Sequence, residues 1–443
     1  MLSLIFYIVI FPLLIVSWFM KPLRKVFQYI YLRSSLLQNL FSFRAVCDEN
    51  FDIKHDEPVT DIDQLAGLLG LTVEHHEVQT IDGYVLGLQR LKRKVRSPTT
   101  RASVSSSTLF HLPSSSSSSQ GSQGAVLLLH GTLQDSESFL CSGSASLAAV
   151  LCYQGYDVWL GNNRGTRYSS YHETLEPDTH HYWDYCLDDL AQFDFPSMLR
   201  YVLSKVDAPK ISIVGFSQGS TQTFLGLAMY PNLCANVSVF IALAPALQPK
   251  RGGHTMLHSF VRSNYLVYGA LMKLLVGDKS MVTFFLLFKN ILSRKLFCLL
   301  TSLGGYLCIG WTWRNISFGR RKDLFQYTFS ETSVKCAMHW IQFDSLNYLS
   351  DYKHSLFPAT LTDNVLNFIH FYASKYLGIT YFSSWLGHSH SLMPELDSHK
   401  HHHHTRRPVW DLDRVSCPVA SLCGAEDGIV NPHAVSQQVK ACI

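Results

Sequence analysis

The stretch ISIVGFSQGSTQTFLGLAMY (211–230) decides the fold. A short run, Ile211 to Val214, apolar except for Ser212, leads into Gly215-Phe216-Ser217-Gln218-Gly219, and a segment of helical period follows. G-x-S-x-G alone is a weak signal. Placed between a buried strand and a helix, it reads as a sharp strand-to-helix turn that lifts Ser217 to the carboxyl edge of a sheet, at a helix N-terminus. The flanking glycines fit that reading, because a Cβ beside so tight a turn would clash.

Further runs of the same kind lie on either side. AVLLL (125–129), YDVWL (156–160), VSVFIALA (237–244) and PVASLC (418–423) are continuous rather than alternating apolar segments. Such strands are buried on both faces, as in a parallel sheet covered by helices. WDYCLDDLAQFDFPSMLRYVLSK (183–205) supplies helical period between two of them. VEHHEVQT (73–80) and YVLGLQRL (84–91) flank Asp82-Gly83 and predict a β-hairpin. The fold class is α/β, with a mainly parallel central sheet.

A serine nucleophile needs donors for the oxyanion and a base to take its proton. One donor is the N–H after the nucleophile, Gln218. The strand 125–129 runs into His130-Gly131-Thr132, which offers the Thr132 N–H as the second. In this reading only the Thr132 backbone acts, and its side chain has no role. His130 lies on that loop and precedes the nucleophile, so it reads as a structural histidine. An acid is expected just past a later strand, and PVASLCGAEDGIVNP (418–432) offers Asp427, with Glu426 as its neighbour and competitor.

Composition narrows the classes. The 443 residues are 47% hydrophobic and 16% charged, which excludes intrinsic disorder. The net charge of +4 leaves no electrostatic footprint for nucleic acid. Eleven cysteines, without C-x-x-C, fit free thiols in a reducing compartment. No cofactor or metal motif is present. Seven histidines at 388–404 (His388, His390, His399 and His401 to His404) read as a solvated loop rather than a metal site.

Residues 1–20, MLSLIFYIVIFPLLIVSWFM, carry no charge. As a helix they span about 30 Å, the thickness of a bilayer's hydrocarbon core. Lys21, Arg24, Lys25, Arg33 and Arg44 all precede the first acid, Asp48, which predicts a cytosolic body. The expected organisation is a transmembrane or monolayer anchor at 1–20 and a basic linker at 21–60. A core follows at 61–250, interrupted by a Ser-rich loop at 97–123. A helical cap occupies 251–345, and 346–443 holds an insert and an incomplete end of the core. Within the cap, LFCLLTSLGGYLCIGW (296–311) is apolar enough to raise a second membrane span as a competing reading. The predicted location is endoplasmic reticulum or lipid-droplet membrane.

Several segments together resemble the acid lipase and steryl ester hydrolase family of α/β-hydrolases, with membrane-anchored fungal members closest in layout. EVQTIDGYVLGLQRL (77–91) is similar to the family's opening hairpin, and HGTLQDSESF (130–139) to its oxyanion segment, with Thr132 where Leu is usual. GYDVWLGNNRGTRYS (155–169), HYWDYCLDDLAQFDFP (181–196) and ETSVKCAMHWIQ (331–342) are specific matches. GAEDGIVNP (424–432) resembles the acid motif and selects Asp427 as the triad acid. The resemblance implies an α/β-hydrolase fold with a helical cap, no cofactor, and hydrolysis of apolar lipid esters (steryl esters or triacylglycerols) through an acyl-serine. It also implies a triad histidine beyond one further helix and strand. Only sixteen residues follow Asp427, and the one histidine among them is His433. The expected final strand is therefore missing. That leaves a catalytically incomplete lipid-binding pseudo-hydrolase as the alternative to an active esterase, and an acyltransferase as a third reading.

Overall fold

A computed structural model describes residues 61–94, 123–247, 280–282, 286, 289–309, 316, 318–346 and 412–423. The segment 1–20, the linker 21–60, nearly all of the Ser-rich loop, the histidines of 388–404, Asp427 and His433 lie outside the described residues.

The strands are β1 (Leu71–Gln79), β2 (Tyr84–Arg93), β3 (Ala125–Leu129), β4 (Asp157–Gly161), β5 (Tyr171–His172), β6 (Ile211–Phe216), β7 (Val237–Leu243) and β8 (Val419–Leu422). They form one sheet in the order β1-β2-β4-β3-β6-β7-β8, with β5 paired to β2. Every pairing from β4 through β3, β6 and β7 to β8 is parallel, whereas β1, β2 and β5 make antiparallel pairs.

The mostly apolar runs are explained by burial on both faces. Leu127 and Leu129 of β3, Trp159 of β4 and Ile213 of β6 pack with Phe195 and Phe224 on one face. Their neighbours Val126, Leu128, Val158, Leu160 and Val214 pack with Ala148, Ala149 and Cys152 on the other. The two-residue period of a strand thus feeds two cores, which leaves few places for a polar side chain, such as the half-buried Ser212 of β6.

Helices α1 (Ile62–Leu68) and α2 (Leu147–Tyr153) cover the second face, and α3 (Phe195–Lys205) and α4 (Gln218–Met229) the first. The helical period from residue 183 materialises only at Leu187. Cys186 is extended there, with φ −133°, and its N–H donates to Asp189 Oδ2 at 2.7 Å. A π-turn, Leu190–Asp194, then leads into α3.

Helices α5 (Arg294–Ile309), α6 (Phe318–Gln326) and α7 (Val334–Leu346) follow β7 in the chain. Among the described residues no helix is long and apolar enough to cross a membrane. The apolar run at 296–311 falls largely in α5, a helix of 16 residues.

The chain leaves β3 for β4 on one side and later returns to β6 on the other side of β3. This reversal of strand order opens a crevice outside the carboxyl ends of β3 and β6, where ligands of open α/β sheets bind. The loop 130–134 and the turn at Ser217 both start at that edge.

Candidate active site

Ser217 is held at φ +50° and ψ −111°, a strained conformation for a residue with a side chain. Three hydrogen bonds fix the turn. The Ser217 N–H donates to Leu243 O at 2.8 Å, the Ser220 N–H to Ser217 O at 3.0 Å, and the Ser220 hydroxyl to Gly215 O at 2.6 Å. The two glycines have distinct reasons. A Cβ on Gly215 would lie 2.6 Å from Ser220 N, and one on Gly219 only 2.2 Å from Leu129 O. The first lets the turn close on itself. The second lets the start of α4 press against the end of β3. Ser217 itself remains half-buried.

The loop after β3 is anchored from beneath. His130 is buried, and its Nε2 faces the Asn163 N–H at 3.1 Å. A backbone N–H only donates, so Nε2 accepts. Nδ1 therefore carries the proton and donates to Gly131 O at 2.9 Å. Burial lowers the pKa of this imidazole and keeps it neutral. With both nitrogens engaged, His130 is a structural residue, in line with its place on the loop. The Gly131 N–H is taken by Gln134 Oε1 at 3.1 Å.

The Gln218 side chain is buried, and three donors converge on its Oε1. These are the Thr132 hydroxyl at 3.0 Å, the Trp340 indole N–H at 2.9 Å and the Cys336 thiol at 3.7 Å. An indole N–H is donor only, so the amide is oriented with its oxygen towards Trp340. Burial pushes the Cys336 thiol up to about 12, so it stays protonated and can donate. Cys336 and Trp340 belong to α7, so this helix reaches the residue after Ser217 directly. It also reaches the loop after β3, because the Phe329 and Ser330 N–H groups donate to Leu133 O at 2.7 and 2.9 Å. Leu133 has φ +60°.

A second buried network supports the crevice. Asn163 and Gln222 exchange amide hydrogen bonds of 3.1 and 2.8 Å. Arg164, also buried, donates to Asp194 Oδ1 at 2.7 Å and to both Asp82 oxygens at 2.6 and 3.0 Å. Its guanidinium carbon sits 4.0 Å from the Tyr84 ring centroid. One cation thus ties the hairpin turn, the loop after β4 and the π-turn together. Burial pushes Asp194 up to about 6, against the attraction of Arg164. Burial also raises Asp82, but there the hydrogen bonds and charge of Arg164 prevail and its pKa is lowered.

Cys186, Asp188 and His339 bring ligand atoms within 4.8 Å of one another between α7 and the helical turn before α3. Burial and the adjacent Asp188 and Asp189 charges raise the Cys186 pKa far above the ordinary thiol range, and its S–H points to Asp188 Oδ2 at 3.7 Å. This geometry is that of a hydrogen-bonded tie.

Of the residues singled out from the sequence, Thr132, Ser217 and Gln218 come together at the carboxyl ends of β3 and β6. Asp427 lies outside the described residues, five positions past the end of β8, which runs parallel to β7 and ends at the same sheet edge. Sequence reasoning gave no role to the Thr132 hydroxyl, the Gln218 amide, Trp340, Arg164, Asp82 or Asp194. The positions of Trp340 and Arg164 are marked only by segments that closely match a family.

A model described as the alpha/beta hydrolase fold matches residues 124–442, and one described as a partial alpha/beta-hydrolase lipase region matches residues 62–143. The chain belongs to the α/β-hydrolase family. Among curated relatives, a "Probable lipase" of Schizosaccharomyces pombe is 32% identical over 349 residues, covering 78% of this chain and 68% of the relative. With such a relative the chain falls among the lipases of that family. A second "Probable lipase" of the same yeast is 33% identical over 65% of this chain and 57% of its own length. "Lipase member K" of Homo sapiens is 29% identical over 67% of this chain and 69% of its own length.

Proposed function

We propose that this chain is a serine hydrolase of apolar lipid esters, steryl esters or triacylglycerols, acting through an acyl-Ser217 intermediate. The observation that carries the reading is the elbow, where Ser217 is strained at φ +50° beside the loop after β3. Ser217 Oγ attacks the ester carbonyl carbon, and its proton passes through a base to the departing alcohol. Water then cleaves the acyl-serine. The Thr132 and Gln218 N–H groups receive the oxyanion. This is supported by Gln134, which occupies the preceding N–H, and by the position of Gln218 in the first turn of α4, where N–H groups lack intrahelical partners. Asp427 is assigned as the acid that orients the base. His130 is not that base, since its ring nitrogens are both engaged.

The lipid nature of the substrate is supported by relatives named lipases and by the apolar cap. Association with a membrane or lipid-droplet surface, with a cytosolic body, is supported by the uncharged residues 1–20 and the basic residues after them.

The test is labelling of the full chain by a fluorophosphonate, with peptide mass spectrometry of the adduct, beside ester turnover by Ser217→Ala. The expected outcome is an adduct on Ser217 and loss of turnover by several powers of ten in the variant. Undiminished turnover by Ser217→Ala would refute the assignment.

A further inference from the structure

We infer that the Thr132 hydroxyl and the Trp340 indole are positioning groups that set the oxyanion hole by clasping the side chain of Gln218 from two sides. The inference rests on the oxyanion assignment above and deepens it. The two N–H donors assigned there belong to Thr132 and Gln218. The side chains of these same two residues are joined by a 3.0 Å hydrogen bond. The spacing of the donors is therefore fixed by a contact between their own side chains, which joins the loop after β3 to the start of α4, 86 residues further along the chain. Leu, the residue usual at this position in the family resembled, could not make that bond.

The clasp is closed from the cap. Trp340 donates to the same oxygen at 2.9 Å, and Gln218 is only 3% exposed, so water has little access to replace either donor. A carbonyl oxygen has two lone pairs. Thr132 and Trp340 take them, and the longer Cys336 contact adds a weak third donor. The cap also holds the adjacent Leu133 carbonyl through two N–H groups. A cap in place thus fixes both walls of the hole, and a displaced cap frees Gln218 to turn. Transition-state donors must sit within a fraction of an ångström of the developing charge. A loosened clasp therefore lowers the chemical step and leaves ground-state binding unchanged.

The experiment uses the full chain and a short, soluble p-nitrophenyl ester. Thr132→Val, which keeps the shape and removes the hydroxyl, is expected to lower kcat about 10- to 100-fold with KM unchanged. Thr132→Ser is expected to recover most of that loss. Trp340→Phe is expected to act in the same direction. In a Gln218→Met background neither change should add to the loss already present, because both act through the oxygen that is gone. A second readout does not need turnover. In amide NMR of labelled protein, Trp340→Phe is expected to shift the Thr132 and Gln218 N–H resonances, and Gln218→Met to shift the Trp340 indole N–H.

If Ser217 takes no fluorophosphonate adduct, the proposed function fails, and the resonances alone then judge the clasp. An adduct on Ser217 together with unchanged kcat in Thr132→Val and Trp340→Phe would overturn the clasp and leave the function standing. Equal losses in Thr132→Ser and Thr132→Val, or unmoved resonances, would also overturn it.

Discussion

Gly219 shows how little freedom the site has at the level of single atoms. Its Cα faces the carbonyl of Leu129 so closely that a Cβ would sit 2.2 Å from that oxygen, against 2.6 Å from a backbone nitrogen for Gly215. Both contacts are backbone, so a rotamer change relieves neither. Gly219→Ala is expected to destabilise the fold by about 1–3 kcal/mol or more, and Gly215→Ala by less, measured as shifts in urea midpoint. Arg164 makes a different residue-level statement. Its two carboxylate partners respond to acid with opposite sign. Asp194, raised to about 6, binds its proton more tightly in the fold than in the unfolded chain. Stability should therefore rise as pH falls from about 6 towards the ordinary value of 3.8. Asp82, lowered below that same value, contributes stability that is present above 3.8 and is lost as pH falls further. Urea midpoints measured across this range should show a shallow rise followed by a fall. Asp194→Asn should remove the rise, and Asp82→Asn should blunt the fall.

Helix α5 carries the clearest message at the scale of elements. Phe297 and Cys298 pack with Phe325 of α6, while Leu299, Leu300 and Leu303 are 54%, 48% and 49% exposed. Leu299 and Leu303, four residues apart, lie on one face of the helix. An apolar face left in water by a chain among the lipases fits contact with an aggregated substrate. Burying one such leucine in lipid is worth about 1.5 kcal/mol or more, roughly tenfold in binding. Leu299→Asp and Leu303→Asp are each expected to depress turnover of emulsified long-chain ester by about that factor. Turnover of a short soluble ester and the melting temperature should not move. Equal loss on both substrates would instead mark α5 as a structural helix.

The parts of the whole molecule that could be read in advance are those encoded locally. AVLLL became β3 residue for residue, and the apolar run into G-x-S-x-G became β6, the elbow and α4. Burial on two faces and a close turn leave a mark in a few consecutive residues. The Gln218 clasp and the Arg164 triad leave none, since each joins segments brought together only by the strand order. The π-turn at 190–194 hid inside a helical period, and the pair Tyr171–His172 is too short a strand to carry a pattern. The same distinction predicts how the N-terminal segment behaves. The apolar run at 1–20, uncharged and long enough as a helix to cross about 30 Å of hydrocarbon, is expected to act on location. Deleting residues 1–20 is expected to move the protein from the sedimenting membrane fraction to the supernatant. Fluorophosphonate labelling of Ser217 and the urea midpoint should stay as they are in the full chain. A deleted chain that still sediments in detergent-free buffer, yet unfolds at the same midpoint, would place the membrane contact elsewhere, with the exposed leucines of α5 the next surface to test.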